Sequence, residues 1–142
     1  MLSNIEVSHE NIIKIIQKLN PKKSHGIDNI SIAMLKMCPH ALSTPLKILF
    51  DRCLKEGSFP EMWKRANVQP VHKKESKQSK THYRPISLLP IFSKIFEKII
   101  FDQMYDFLNS NNLISQNQSG FRPGDSTINQ LLSITTEIYE AF

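Results

Sequence analysis

The 142 residues predict an α+β fold, mostly helical, with one antiparallel β-hairpin packed on several helices. Three features carry that expectation. Apolar residues recur at helical spacing through most of the chain, whereas strand-like runs occur only at residues 66–73 and 83–89. Each run holds one proline, Pro70 and Pro85, and a residue with no N–H to donate belongs at a sheet edge. Between the two runs lies a polar loop crowded with lysines.

In chain order, Ser8 is placed to cap a first helix, with Val7 and Ile12 as a hydrophobic staple across the cap. Ile12, Ile13, Ile15, Ile16 and Leu19 share one side and Pro21 closes the helix, so residues 1–21 form an N-terminal helix leading into the rest. Residues 22–28 form a polar turn in which Gly26 supplies backbone freedom. A short helix from Ser31 to Cys38 precedes a firmer one from Pro45 to Gly57, whose buried stripe is Leu46, Leu49, Phe50, Cys53 and Leu54. Trp63, four residues after Phe59, reads as a core anchor, because burying its large apolar surface is so favourable.

Residues 91–108 are the most strongly periodic helix, with Phe92, Ile95, Phe96, Ile99, Ile100 and Met104 on one face. Residues 109–112 break it, and residues 118–125 form a loop with two glycines and a proline. A last helix opens at Asp125 or Ser126, with Ile128, Leu131, Leu132, Thr135, Ile138 and Tyr139 at its apolar positions. It reaches the end of the chain without a capping signal, which suggests truncation. The apolar faces of these last two helices are expected to be only partly covered, with marginal stability or self-association as the result.

Length and a hydrophobic content of 40% fit one domain, residues 1–142. No apolar run approaches the roughly 20 residues that cross a bilayer, and residues 1–17 lack a secretory signal, so the expected location is intracellular, with nucleus and cytoplasm both open and no membrane partner. Cys38 and Cys53 have no metal-ligand spacing and are expected to be buried free thiols.

Charge is strongly local. From Lys64 to Arg84 there are seven cations (Lys64, Arg65, Lys73, Lys74, Lys77, Lys80, Arg84) against one acid, Glu75, so this window carries +6 of a net +5 and the remainder −1. Such a concentration is the electrostatic footprint of a surface that meets a polyphosphate or a nucleic-acid backbone. A lysine run alone is more often a solvated loop. Arg84 raises the functional reading, since a guanidinium fixed between Tyr83 and Pro85 on a short strand is aimed, and its fork suits bidentate phosphate recognition. His72 and His82 flank the loop and read as solvated residues.

Metal-dependent nucleotidyl transfer needs carboxylates converging on cations about 4 Å apart. Asp28 and Asp125 read as turn or helix caps, and Asp51 as an isolated helical charge. Asp102 and Asp106 share a helix face, but Lys98 lies four residues before Asp102 and makes that face a solvated, paired stripe. No aromatic-x-Asp-Asp sequence, nucleophile elbow, Walker loop or dinucleotide fingerprint occurs. Neither a catalytic residue nor a metal ligand is assigned.

Several short motifs in order point to a family. Lys23-Ser24-His25-Gly26-Ile27-Asp28, Gly57-Ser58-Phe59-Pro60 with Trp63-Lys64, Pro70-Val71-His72-Lys73-Lys74, Tyr83-Arg84-Pro85-Ile86-Ser87-Leu88-Leu89 with Lys94 and Glu97-Lys98, and Gln118-Ser119-Gly120-Phe121-Arg122 succeed one another from about Lys22 to the C-terminus. The chain resembles the front of a reverse transcriptase of the non-LTR retrotransposons, the jockey-like group in particular.

The resemblance implies the fingers region of a right-hand polymerase and its approach to the palm, truncated before the palm strands that bear the catalytic aspartates. It further implies that Lys73 and Arg84 grip the triphosphate of an incoming deoxynucleotide, that Arg122 contacts the template backbone, and that Lys74, Lys77 and Lys80 add nucleic-acid contacts. The implied partners are an RNA template, a DNA primer, a deoxynucleoside triphosphate and the missing palm region of the same polyprotein. The complete enzyme would use Mg2+, and this fragment none. Two alternatives stay open, a non-catalytic nucleic-acid-binding remnant and a decayed reading frame without function.

Overall fold

The computed structural model describes residues 5–73, 76–115 and 117–142. Among these, the order is α1 (His9–Lys18), α2 (Ile32–Met37), α3 (Pro39–Glu56), a 3-10 turn at Glu61–Lys64, β1 (Asn67–His72), a 3-10 turn at Lys80–His82, β2 (Tyr83–Leu88), α4 (Ile91–Ser110) and α5 (Thr127–Glu140). β1 and β2 form one antiparallel two-stranded sheet, so the α+β class with a single hairpin is as expected. The chain divides into two compact units, Met1–Met104 and Tyr105–Phe142.

In the first unit, the Ser8 hydroxyl caps α1 by accepting the Asn11 amide at 3.1 Å, and Val7 and Ile12 on either side of it are both buried in one core. α1 ends at Lys18, earlier than Pro21 required, because Leu19 is already extended. The Gln17 carbonyl, one of the acceptors left open by that ending, receives Lys36 Nζ at 2.7 Å. α2 begins where expected, and the Ser31 hydroxyl caps it by accepting the Met34 amide.

α3 corrects the sequence reading at its start. It begins at Pro39, whose missing N–H costs nothing in a first turn, and Pro45 lies inside the helix. The added turns are held by tertiary contacts that a proline signal does not reveal. Leu42 packs against the core, and the buried Ser43 hydroxyl bonds the His40 carbonyl at 2.8 Å and meets His9 Nδ1 of α1 at 3.3 Å. At the other end Gly57 takes the left-handed conformation, φ 59°, and Ser58 N–H reaches back to the Cys53 carbonyl at 3.0 Å, closing a Schellman cap.

The core centres on four rings. Phe50 lies 5.0 Å from Phe96 and 5.9 Å from Trp63, and Phe59 lies 5.5 Å from Trp63. The 3-10 turn delivers Trp63 into this cluster, so the core-anchor assignment is correct. Around it pack Ile12 and Ile16 from α1, Leu35 from α2, Leu46 and Cys53 from α3, and Ile95 and Ile99 from α4.

Three side chains expected inside are not. Leu49 and Met104 sit at the edges of their helical stripes and are exposed, and Cys38 is exposed at the α2–α3 junction, where φ −141° leaves the helical path. Cys53 is the buried thiol, and burial raises its pKa.

Gly26 also has a different reason from the one expected. It is buried, and a Cβ built there would lie 2.6 Å from both the Leu89 carbonyl carbon and the Pro90 nitrogen. Its lack of a side chain permits close approach to the exit of β2, while the left-handed residue of that turn is Asn29, φ 56°. Asp28 caps the same turn by accepting the Ile30 amide at 3.3 Å.

In the second unit, Asn112 takes the left-handed conformation (φ 54°) after α4, and Leu113 N–H bonds the Leu108 carbonyl at 2.9 Å. The Ser126 hydroxyl caps α5 by accepting the Asn129 amide at 3.3 Å. α5 buries none of its residues.

Candidate nucleotide and nucleic-acid interface

The β1–β2 register decides which side chains of the hairpin share a face. Asn67 pairs with Leu88, Gln69 with Ile86, Pro70 with Pro85, Val71 with Arg84 and His72 with Tyr83. Lys73 N–H donates to the His82 carbonyl at 2.8 Å, which extends the ladder by one pair. Bonded and non-bonded pairs alternate in an antiparallel ladder, so Val71–Arg84 and Gln69–Ile86 are bonded pairs and Pro70–Pro85 is not. The two prolines sit where an N–H would point away from the partner strand, and they cost the ladder nothing.

The same alternation gives two faces. One carries Gln69, Val71 and Lys73 with His82, Arg84 and Ile86; the other carries Val68, Pro70 and His72 with Tyr83, Pro85 and Ser87. Lys73 and Arg84 are thus on one face as diagonal neighbours, a spacing of about 7–8 Å. Both are exposed, beside the exposed apolar Val71 and Ile86.

Four cations elsewhere among the described residues are held in ion pairs. Lys47 pairs with Asp51 at 2.6 Å, Arg52 with Glu56 at 2.7 Å, Lys64 with Glu61 at 2.5 Å and Lys98 with Asp102 at 2.7 Å. Among the described residues, Lys73, Lys77, Lys80 and Arg84 enter no ion pair. Together they concentrate positive charge on one hairpin, which strengthens the local field. Lys77 and Lys80 are exposed in the connecting loop. Lys74 lies outside the described residues.

His72 and His82 are not simply solvated. The His72 ring meets the Tyr83 ring at 5.3 Å, and its Nε2 is covered and has no hydrogen-bond partner among the described residues. His82 Nδ1 lies 2.8 Å from the Ser76 carbonyl, and Tyr83 Oη donates to the Lys77 carbonyl at 3.0 Å. Tyr83 was not among the expected site residues. Its position directly before Arg84 and opposite His72 in a two-residue alternation was the available signal.

Arg122 belongs to the second unit, in a loop where Phe121 has φ 60° and its ring is fully exposed. Its guanidinium donates to the Ser115 carbonyl at 3.4 Å. Nearby, hydrogen bonds from Ser119, the Ser126 amide and the Asn129 side chain hold the Asp125 carboxyl below the usual aspartate range. Asp125 thereby acts in the α5 N-terminal turn, as its sequence context predicts. Among the described residues no three His, Cys, Asp or Glu side chains come together as metal ligands. The Lys98–Asp102 pair places Asp102 in the charged stripe predicted for it.

No protein-family model matches the chain. It is 37% identical, over 94% of its length, to the "Probable RNA-directed DNA polymerase from transposon BS" of Drosophila melanogaster. It is 30% identical over 92% of its length to the corresponding protein named for transposon X-element, and 31% identical over 95% to the "RNA-directed DNA polymerase from mobile element jockey", both of the same fly. Over nearly its whole length the chain is homologous to jockey-like non-LTR retrotransposon RNA-directed DNA polymerases. Within that family it corresponds to a segment, spanning 15%, 14% and 15% of the length of these three relatives. Among its described residues no helix is long and apolar enough to cross a membrane.

Proposed function

We propose that this segment supplies the fingers of a retrotransposon reverse transcriptase, with Lys73 and Arg84 binding the triphosphate of the incoming deoxynucleotide. The observation that carries the reading is the shared, exposed position of these two cations on one hairpin face. A triphosphate needs cationic donors that stabilise charge developing on the departing pyrophosphate. Arginine offers a planar fork for two phosphate oxygens and lysine a point charge beside it. Lys77 and Lys80 in the loop and Arg122 in the second unit meet the phosphates of the template or primer.

A polymerase of this class also needs metal-held carboxylates, and the described residues do not provide that donor set. No chemical step is therefore routed through this segment, and the 142-residue chain alone is expected not to extend a primer. In a complete polymerase containing the segment, Arg84→Ala should raise the KM for deoxynucleotide strongly and change template affinity little. Charged hydrogen bonds of about 1.5–3 kcal/mol set the scale at roughly 10- to 100-fold. Equal losses in nucleotide and RNA binding would remove Arg84 from the nucleotide site.

A further inference from the structure

The lysine-bearing loop between the strands is held by the strand that follows it. Tyr83 Oη donates to the Lys77 carbonyl at 3.0 Å, His82 Nδ1 approaches the Ser76 carbonyl at 2.8 Å, and the His82 amide donates to the Ser79 carbonyl at 3.1 Å. Tyr83 is itself steadied by the edge-on contact of its ring with His72. The hairpin register places Tyr83 on the face opposite Lys73 and Arg84. Its hydroxyl and the His82 ring, from opposite faces of the hairpin, therefore hold the loop backbone at Lys77 and Ser76.

We propose that Tyr83 is a positioning residue that holds the lysine loop ready for a nucleic-acid phosphate. Its hydroxyl fixes the backbone that carries Lys77, so that this lysine is presented to the phosphate backbone of a nucleic-acid strand. The inference rests on the reading of the hairpin as a phosphate-binding element. Its physical basis is preorganisation: a loop already tied by its carbonyls loses less freedom when its lysine meets a phosphate, so the contact forms together with the others.

The test is the salt dependence of binding of a single-stranded RNA oligonucleotide to the 142-residue chain, for wild type, Tyr83→Phe, Lys77→Ala and the double variant. Phenylalanine keeps the ring beside His72 and removes only the hydroxyl. The slope of log affinity against log salt should fall in magnitude by about 0.7, one phosphate contact, in each single variant and by no more in the double variant. Thermal melting of Tyr83→Phe should match wild type. A slope unchanged in Tyr83→Phe or in Lys77→Ala, with wild type clearly salt-dependent, overturns the role of Tyr83 and leaves the phosphate-binding reading standing. Additive losses in the double variant overturn it too, because Tyr83 would then not act through Lys77. Wild type without salt-dependent binding overturns the reading on which both depend. Lys77→Ala changes only an exposed side chain, so an unchanged slope in it overturns the proposal even where Tyr83→Phe folds poorly.

Discussion

Gly26 stands against the Leu89 carbonyl so closely that any β-carbon there would lie within 2.7 Å of it. Two motifs more than sixty residues apart in sequence thus meet through backbone rather than side chains, the turn before α2 and the end of β2. The contact fixes where the hairpin leaves the helical core, and so where Arg84 is presented. Gly26→Ala must displace a peptide, not a flexible side chain, and should destabilise the first unit by about 1–3 kcal/mol in urea unfolding. A neutral substitution would show that the turn does not pack there in solution.

The facing prolines give a second prediction. Pro70 and Pro85 occupy a non-bonded pair, so Pro70→Val should cost no more than about 1 kcal/mol. Val71→Pro moves the missing donor one residue on, into a bonded pair with Arg84, and should abolish amide-exchange protection across the hairpin while the helical core stays protected. The reverse ranking of the two variants would mean that the register is shifted by one residue.

The aromatic cluster separates true core positions from apparent ones on α3. Phe50, fully buried among Phe96 and Trp63, should lose about 3–5 kcal/mol as alanine. Leu49, adjacent in sequence and exposed, should lose at most about 1 kcal/mol by the same measurement. Denaturant midpoints of the two variants test this directly.

Asp125 predicts a pH dependence in the second unit. Hydrogen bonds from Ser119, the Ser126 amide and Asn129 lower its carboxyl below the ordinary 3.8. Because the Ser119 hydroxyl has one proton and also lies 2.5 Å from Gln130 Oε1, the two N–H donors are the lasting ones. A depressed carboxylate stabilises the fold above its unfolded value and loses that contribution as pH falls through its folded value. The start of α5 should therefore loosen only under acid, below about pH 4. Asp125→Asn should remove this step from an amide-exchange profile of Asn129 and Gln130. Titration of Asp125 at an ordinary value would dissolve the network.

The chain's local chemistry determined much of this architecture. Ser8, Ser31 and Ser126 cap helices because a short hydroxyl beside a free amide acts over three residues, and Gly57 ends α3 because the left-handed cap suits it. The aromatic anchors, the hairpin and the local excess of cations were legible for the same reason: periodicity and charge are properties of neighbouring residues. Tertiary structure decided what depends on distant partners. It carried α3 through Pro45, because Leu42 and Ser43 found contacts in the core and on α1. It left Leu49 and Met104 outside, because the stripe that faces the core is narrower than the apolar pattern, and Cys38 outside, because it sits at the junction of two helices. It turned Gly26 from a flexible turn residue into a point of close approach. In the candidate site, composition supplied Lys73 and Arg84, but only strand register could put them on one face and Tyr83 on the other, since a single-residue shift would exchange the two faces.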